Sequence, residues 1–443
     1  MNSNDIRLKK TLTMIHAWGN GAELLPLTNN RSKSSFSFGG KYRVIDITLS
    51  NCINSDLHRI YVLTQYKSDS LHEHIYNAWK IFHPELGEFI NSVPPQQKLD
   101  KFWYMGTADA VFQNIDLIKD NDENLLLLSS DRIYKMDYSK LLHFHNELKA
   151  DLTIAYIKLP KEISKHLSTL EINSNNKIIV FNNYPLMMQM LRSNTNTSLV
   201  NMGICLFNTK ALKEVFKNMA NENLDIYDFE KDVIPYMIRN NFNVAAYPFM
   251  DDYEKGKAYW KDVGTIDSYY KANMDLLEEF PSFDLYDENW QLRTKHSNYP
   301  PVKAIAFGNR QVNRIHNSLI ADGSVISGGT VTRSVLGFKV NINNDAYVAD
   351  SIIMDFCKIG HNSRIRNAII DKNVIIPENV SIGFNLEDDR KNYFVTKSGI
   401  VVVPQNYVFN KIKNEHEKII MNLVERIEKD RSRNVANRNL VYR

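Results

Sequence analysis

Hydrophobic residues in the first 290 positions fall into short β-branched runs separated by longer amphipathic stretches. Candidate strands are residues 12–16, 59–64, 124–129, 151–157, 199–208 and 242–248. Helical patterns lie between them, as at 107–119, and another at 268–278 follows the last strand. Strands alternating with helices predict an α/β fold with a largely parallel sheet and crossover connections. Such sheets bind ligands at the carboxyl ends of their strands.

The period changes after a linker at 291–304, which is broken by Pro300 and Pro301. Residues 317–326 read NSLIADGSVI, 333–342 RSVLGFKVNI, 350–359 DSIIMDFCKI and 367–376 NAIIDKNVII, blocks that begin 16, 17 and 17 residues apart. Leu319, Val325 and Val331 stand six apart. A six-residue apolar step wound in coils of three is the pattern of a left-handed parallel β-helix, in which no coil buries its apolar edge alone. The expectation is a β-helix over 305–405, with Leu319, Val335, Ile352 and Ile369 stacked as equivalent rungs pointing inward. In the tail, 406–443, Ile412, Ile419, Leu423 and Ile427 keep helical spacing ahead of a basic end. That tail reads as a solvated amphipathic helix or as a docking arm for a partner.

Composition narrows the function classes. Lys+Arg of 54 against Asp+Glu of 51 leaves a net charge of +3, too little to imply nucleic acid unless gathered on one face. No apolar run approaches the roughly 18 residues of a membrane span, and residues 1–10 carry no apolar core of a signal peptide. Cys52, Cys205 and Cys357 lie far apart without a CxxC, against a disulfide framework or zinc site. The expectation is a soluble cytoplasmic protein. One total is odd: 17 glycines in 443 residues, where about 7% is usual. A fold that binds phosphates on glycine loops should not be short of glycine.

Six segments carry a family likeness in their order. Residues 28–55 read TNNRSKSSFSFGGKYRVIDITLSNCINS, followed by RIYVLTQ at 59–65, WYMGTADAV at 103–111, SDRIYKMDY at 130–138, NMGICLF at 201–207 and YWKDVGTI at 259–266. Placed before a β-helix and GIVVV at 399–403, they resemble bacterial ADP-glucose pyrophosphorylases (glucose-1-phosphate adenylyltransferases) over about residues 10–405. The resemblance implies a Rossmann-like nucleotidyltransferase domain over 1–290, then the β-helix. It also implies a reaction, ATP plus glucose 1-phosphate giving ADP-glucose and diphosphate, and a cytoplasmic tetramer. A sugar-phosphate oxygen attacks the α-phosphate in line, so the protein's work is positioning and charge neutralisation, with Mg²⁺ bridging phosphates.

Several family positions are kept. Asp131 and Asp262 match the metal-holding aspartates, and two carboxylates from separate strand ends suit Mg²⁺. Read without the family, an aspartate at a strand end is more often a turn former. Lys33 matches a catalytic lysine near the nucleotide. Gly19, Gly21, Tyr104, Gly106, Thr107 and Asp109 match nucleotide-binding positions, the last four at a helix start whose amides face nucleotide. There the plainer alternative is helix capping by Thr107. Asn183, Tyr184, Met202 and Gly203 fall at sugar-binding positions, and Arg31, Arg390 and Lys391 partly match a basic effector cleft.

Other positions are lost. The family loop AGGxGxRLxxLT reads AWGNGAELLPLT at 17–28, so a glycine has become Trp18 and the catalytic arginine has become Glu23. Unit charges ~4 Å apart at an effective dielectric of ~20 interact by roughly 4 kcal/mol, so the reversal swings several kcal/mol. The family's Gly-Asp-His is Ser130-Asp131-Arg132, and its Glu-Lys-Pro is Asn183-Tyr184-Pro185, without the lysine expected on the sugar phosphate. Its arginine before GTADA is Met105, and its glycine after CINS is Asp56.

Three functions compete. One is a family member with the fold but little or no catalysis, acting as a regulatory or assembly subunit beside an intact paralogue or as a repurposed binder. Another is an active adenylyltransferase, homo-oligomeric, in which Lys33 or Arg132 has taken over the missing charge. The third is an acyltransferase using His361 of the β-helix as general base.

Overall fold

Thr11–His16 (β1) is buried along almost its whole length, as a near-continuous apolar run requires of a strand covered on both faces. The computed structural model describes residues 8–19, 21–96, 103–183, 196–250, 258–305 and 314–409. The expected tail helix falls outside them. The described residues to 406 belong to one compact unit.

β1 lies between the parallel strands Arg59–Leu63 (β2) and Asn124–Ser129 (β4), and Phe89–Val93 (β3) extends the sheet beyond β2. On the far side of β4 the order changes. Thr197–Asn208 (β7) pairs antiparallel with β4 and with Leu152–Pro160 (β6), while Val244–Pro248 (β8) pairs parallel with β6. The sheet is therefore mixed rather than largely parallel. Between β6 and β7 the described chain offers only the short helix Lys161–Ser164 and a hairpin of Thr169–Ile172 with Ile178–Asn182, and without a crossover helix consecutive strands return antiparallel. The helix expected over 107–119 is α-helical only at Thr107–Phe112 and continues as a 3₁₀ turn at Ile115–Leu117. The stretch expected at 268–278 forms the helix Ile266–Asp275.

A small second sheet sets the site. Arg132–Tyr134 (β5) pairs antiparallel with Trp260–Asp262 (β9), and Arg132 lies directly opposite Asp262.

From Lys303 the chain winds through three parallel ladders of short strands, the left-handed β-helix. Ile326, Ile342, Ile359 and Ile376 stack on one face and Val331, Val348, Ile365 and Ile382 on the next, all essentially without exposure. On the third face Leu319, Val335, Ile352 and Ile369 stack in register, as expected of rungs. Their direction is corrected. They join a core cluster with Leu24, Leu27, Phe36, Ile47 and Ile133, so they face the α/β region. Neighbouring residues on a strand point to opposite sides, which leaves Ile320, Leu336, Ile353 and Ile370 as the row facing into the coil. The offset is a single residue, enough to exchange faces completely.

Coil corners need left-handed backbone, and here few are glycine. Asn317, Arg333, Asp350 and Asn367 share one corner with φ of 42 to 47°, and Asp345, Asn362 and Asn379 share another with φ of 55 to 60°. Asn and Asp tolerate that region better than other non-glycine residues. The shortage of glycine therefore has a structural cause in the repeats. Asp56 also takes positive φ (57°) and follows the helix Val44–Asn54.

A buried ion pair closes the seam between the two regions, and a second lies beside it within the β-helix. Arg31 Nη2 meets Asp371 Oδ1 at 2.5 Å with both side chains about fully buried, and Lys372 pairs with Asp355 at 2.7 Å. Asp46 accepts hydrogen bonds from His74, Trp79 and Thr294, tying the linker to the helix Val44–Asn54.

Candidate active site

The loop after β1 turns at Gly21, whose φ is 59°. Gly19 lies against Lys33: a Cβ there would sit 2.9 Å from Lys33 Cε. Glycine at 19 thus lets the loop rest on the lysine. Trp18 does not block this path. Its indole donates to His16 Nδ1 at 3.2 Å and packs on the core of the sheet. Glu23 sits in the 3₁₀ turn Ala22–Leu24, exposed, and no hydrogen bond or ion pair engages it among the described residues.

Asp131 follows the carboxyl end of β4, buried, and Lys33 Nζ pairs with its Oδ2. Arg132 Nη1 lies 2.9 Å from Asp131 Oδ1 and 2.7 Å from Asp262 Oδ1. Asp131 and Asp262 therefore converge, and their shared cation is a guanidinium. Burial alone would raise the Asp131 pKa, but Arg132 and Lys33 hold it well below the usual carboxylate range. His16 contributes no charge here, since burial holds its pKa down to about 4 against the pull of Asp131.

The amides at the start of Thr107–Phe112 do not face a ligand. Ala108 and Asp109 donate to the Tyr227 carbonyl at 2.9 and 3.2 Å. Gly106 is glycine for the same reason, because a Cβ would meet that oxygen at 2.0 Å. Nor does Thr107 cap its helix: its hydroxyl donates to Asp228 and accepts from the Phe229 amide. Tyr104 is buried, with its hydroxyl accepting from Asn114, and Asp109 accepts from Met105 N and Gln113. These motif residues form a brace between two segments rather than an open anion site.

Of the sugar-binding positions, Tyr184 lies outside the described residues. Met202 is fully buried in the core. Gly203 takes φ of 76° at a break in the register of β7, with Ser129 Oγ 2.7 Å from where its Cβ would be. Asn183 Oδ1 accepts from Ser168 Oγ at 3.3 Å. Sequence reasoning missed the residue this group centres on, Glu230, which accepts from Ser168 at 2.5 Å and from Asn201 at 2.7 Å. Burial raises its pKa, while those hydrogen bonds and Arg132 oppose the rise. Nothing in the acidic stretch 228–232 distinguishes Glu230 from a solvated helix start.

The effector group does not assemble as an open cleft. Arg31 is buried in its pair with Asp371, whereas Arg390 and Lys391 are exposed on the helix Leu386–Asn392. His361 is exposed at a coil corner, its Nδ1 hydrogen-bonded to the Asn344 carbonyl. Among the described residues no helix is long and apolar enough to cross a membrane.

Comparison with known proteins agrees with this architecture. A nucleotidyl transferase family model matches residues 12–279, and a GlmU-like, C-terminal hexapeptide model matches residues 300–403. The chain is 43% identical over 408 residues to glucose-1-phosphate adenylyltransferase 2 of Vibrio cholerae, covering 91% of this chain and 100% of that protein. It is 41% identical to the glucose-1-phosphate adenylyltransferases of Rhodopirellula baltica and Koribacter versatilis, covering 91% and 90% of this chain and 92% and 96% of theirs.

Proposed function

Since the chain belongs to the glucose-1-phosphate adenylyltransferase family of nucleotidyl transferases, we propose that it keeps the fold of that reaction but transfers adenylyl groups at no more than a trace rate. Its role is then that of a regulatory or assembly subunit of a cytoplasmic oligomer, a tetramer by family likeness, or of a repurposed binder. One observation carries this reading. The loop that rests on Lys33 presents Glu23, an exposed anion without a cation partner among the described residues, where the family has a cation. An incoming polyphosphate meets repulsion there.

Mg²⁺ is the ion the resemblance implies, and Asp131 and Asp262 offer the hard oxygens it prefers. As arranged, they do not fit it, because the facing oxygen of each already holds Arg132. The site's positive charge rests on the chain's own Lys33 and Arg132. That same pair favours a second reading, an active enzyme with rearranged cations.

A diphosphate-release assay with ATP and glucose 1-phosphate separates the two. Trace turnover supports the first reading and robust turnover the second. Co-expression with an intact paralogue, followed by sizing, tests the subunit role.

A further inference from the structure

Arg132 lies between two carboxylates that would otherwise hold a metal. Its place opposite Asp262 in the β5–β9 ladder brings the guanidinium to that carboxylate, and its position one residue after Asp131 brings it to the other. A single nitrogen, Nη1, serves both acids at 2.9 and 2.7 Å. Other groups stand around the pair. Lys33 pairs with the second oxygen of Asp131, the Gly264 amide donates to Asp262 Oδ1 at 2.7 Å, and the guanidinium lies over the Trp260 ring at 5.5 Å. The carboxylate of Glu230 adds to the negative field around it.

We propose that Arg132 is the resident cation of this site, occupying the place of a divalent ion between Asp131 and Asp262 and closing the acidic pair to metal. The inference rests on the family reading, which makes these two aspartates the metal pair. To bind both acids a Mg²⁺ ion must approach to about 2.0–2.1 Å, inside the space Nη1 fills. Displacing the guanidinium leaves its charge beside the ion, next to the Lys33 ammonium as well. Mg²⁺ sheds its own water reluctantly, so nothing in the exchange favours the metal. A planar guanidinium satisfies carboxylates in this way at no dehydration cost comparable to a small divalent ion.

The test uses Mn²⁺ alone, with free ion counted by electron paramagnetic resonance in the full-length protein. Wild type is expected to bind Mn²⁺ at least tenfold more weakly than Arg132→Gln, which should take up one ion per chain. Arg132→Lys keeps the charge and should stay as weak as wild type. Asp262→Asn added to Arg132→Gln should lose the ion again. A purely structural ion pair would change melting temperature in these variants without creating a metal site.

Wild-type Mn²⁺ affinity within about threefold of a folded Arg132→Gln variant overturns the proposal. Should Arg132→Gln fail to fold, the wild type still decides: a tight Mn²⁺ site that Asp131→Asn abolishes overturns it, and no such site supports it. Because metal binding is read without turnover, an active wild type with weak Mn²⁺ binding would sink the low-activity reading and leave this one standing.

Discussion

In the β-helix each residue's task is repeated by the residue about 17 positions on, whereas at the candidate site each charged group acts singly. Ile342 is backed by Ile359 and Ile359 by Ile376. Lys33 and Asp131, by contrast, are 98 residues apart, and the one other cation on that carboxylate among the described residues is Arg132, of a different kind and on the other oxygen. The difference teaches where substitution is absorbed. A coil that loses a contact leans on its neighbours. A site that loses a cation has no repeat of it to lean on.

The hardest strain on this contrast falls at the seam, where repeats and site share one core. Arg31→Ala leaves Asp371 buried without its partner and should cost about 3–5 kcal/mol, read by urea unfolding at pH 7. A loss under 1 kcal/mol would mean that the two regions stand independently.

Acid sharpens the contrast next. His145, buried in the α/β region with its ring on Thr153, has its pKa lowered by burial to about 4 from 6.5. The unfolded chain therefore takes the proton first. The stability this group confers is complete above pH 6.5 and declines as pH falls toward 4, by at most about 3 kcal/mol. The described histidines of the β-helix, His316 and His361, are exposed. His145→Asn should flatten the pH dependence of the melting temperature. An unchanged slope would remove this group from the account.

At the site, Glu23→Arg with Tyr184→Lys should raise ADP-glucose formation by about a hundredfold, roughly 2.7 kcal/mol in the barrier. The two changes act on one reaction and are expected to be non-additive. Trp18 should stay, because it packs on the core. No gain in the folded double variant would favour a repurposed binder over a silenced enzyme.

The smallest effect belongs to a corner. Asn367→Ala, at φ of 47°, should destabilise by about 1 kcal/mol, and Asn367→Gly by nothing or less. Chemical denaturation midpoints distinguish them. A larger loss for Ala would show that corners, too, act singly.

Legibility followed the same division. The β-helix was readable because four blocks repeat one pattern, and only the direction of the Val335 row escaped. Facing into the coil and facing a second domain leave the same apolar signature. The parallel part of the sheet followed from alternation, but among the described residues no crossover helix precedes β7 to announce its direction. At the site, the motifs named Asp131, Asp262 and Lys33, which the fold brings together around Arg132. They misplaced the amides after Gly106, which serve Tyr227, a residue 121 positions from Gly106, and they passed over Glu230, whose burial depends on Ser168 and Asn201. Charge partners brought together across the fold leave no local period to read.

Arg31 and Asp371 stand 340 residues apart, and this sets a timetable for the chain during its synthesis. At ~5–20 residues per second a ribosome needs about 20–70 s to deliver the second after the first. For most of that interval Leu24, Leu27, Phe36 and Ile47 have no Val335, Ile352 or Ile369 to cover them. The nascent α/β region therefore emerges with an uncovered apolar face, and a chaperone or a delayed collapse has to shield it until the third coil leaves the exit tunnel.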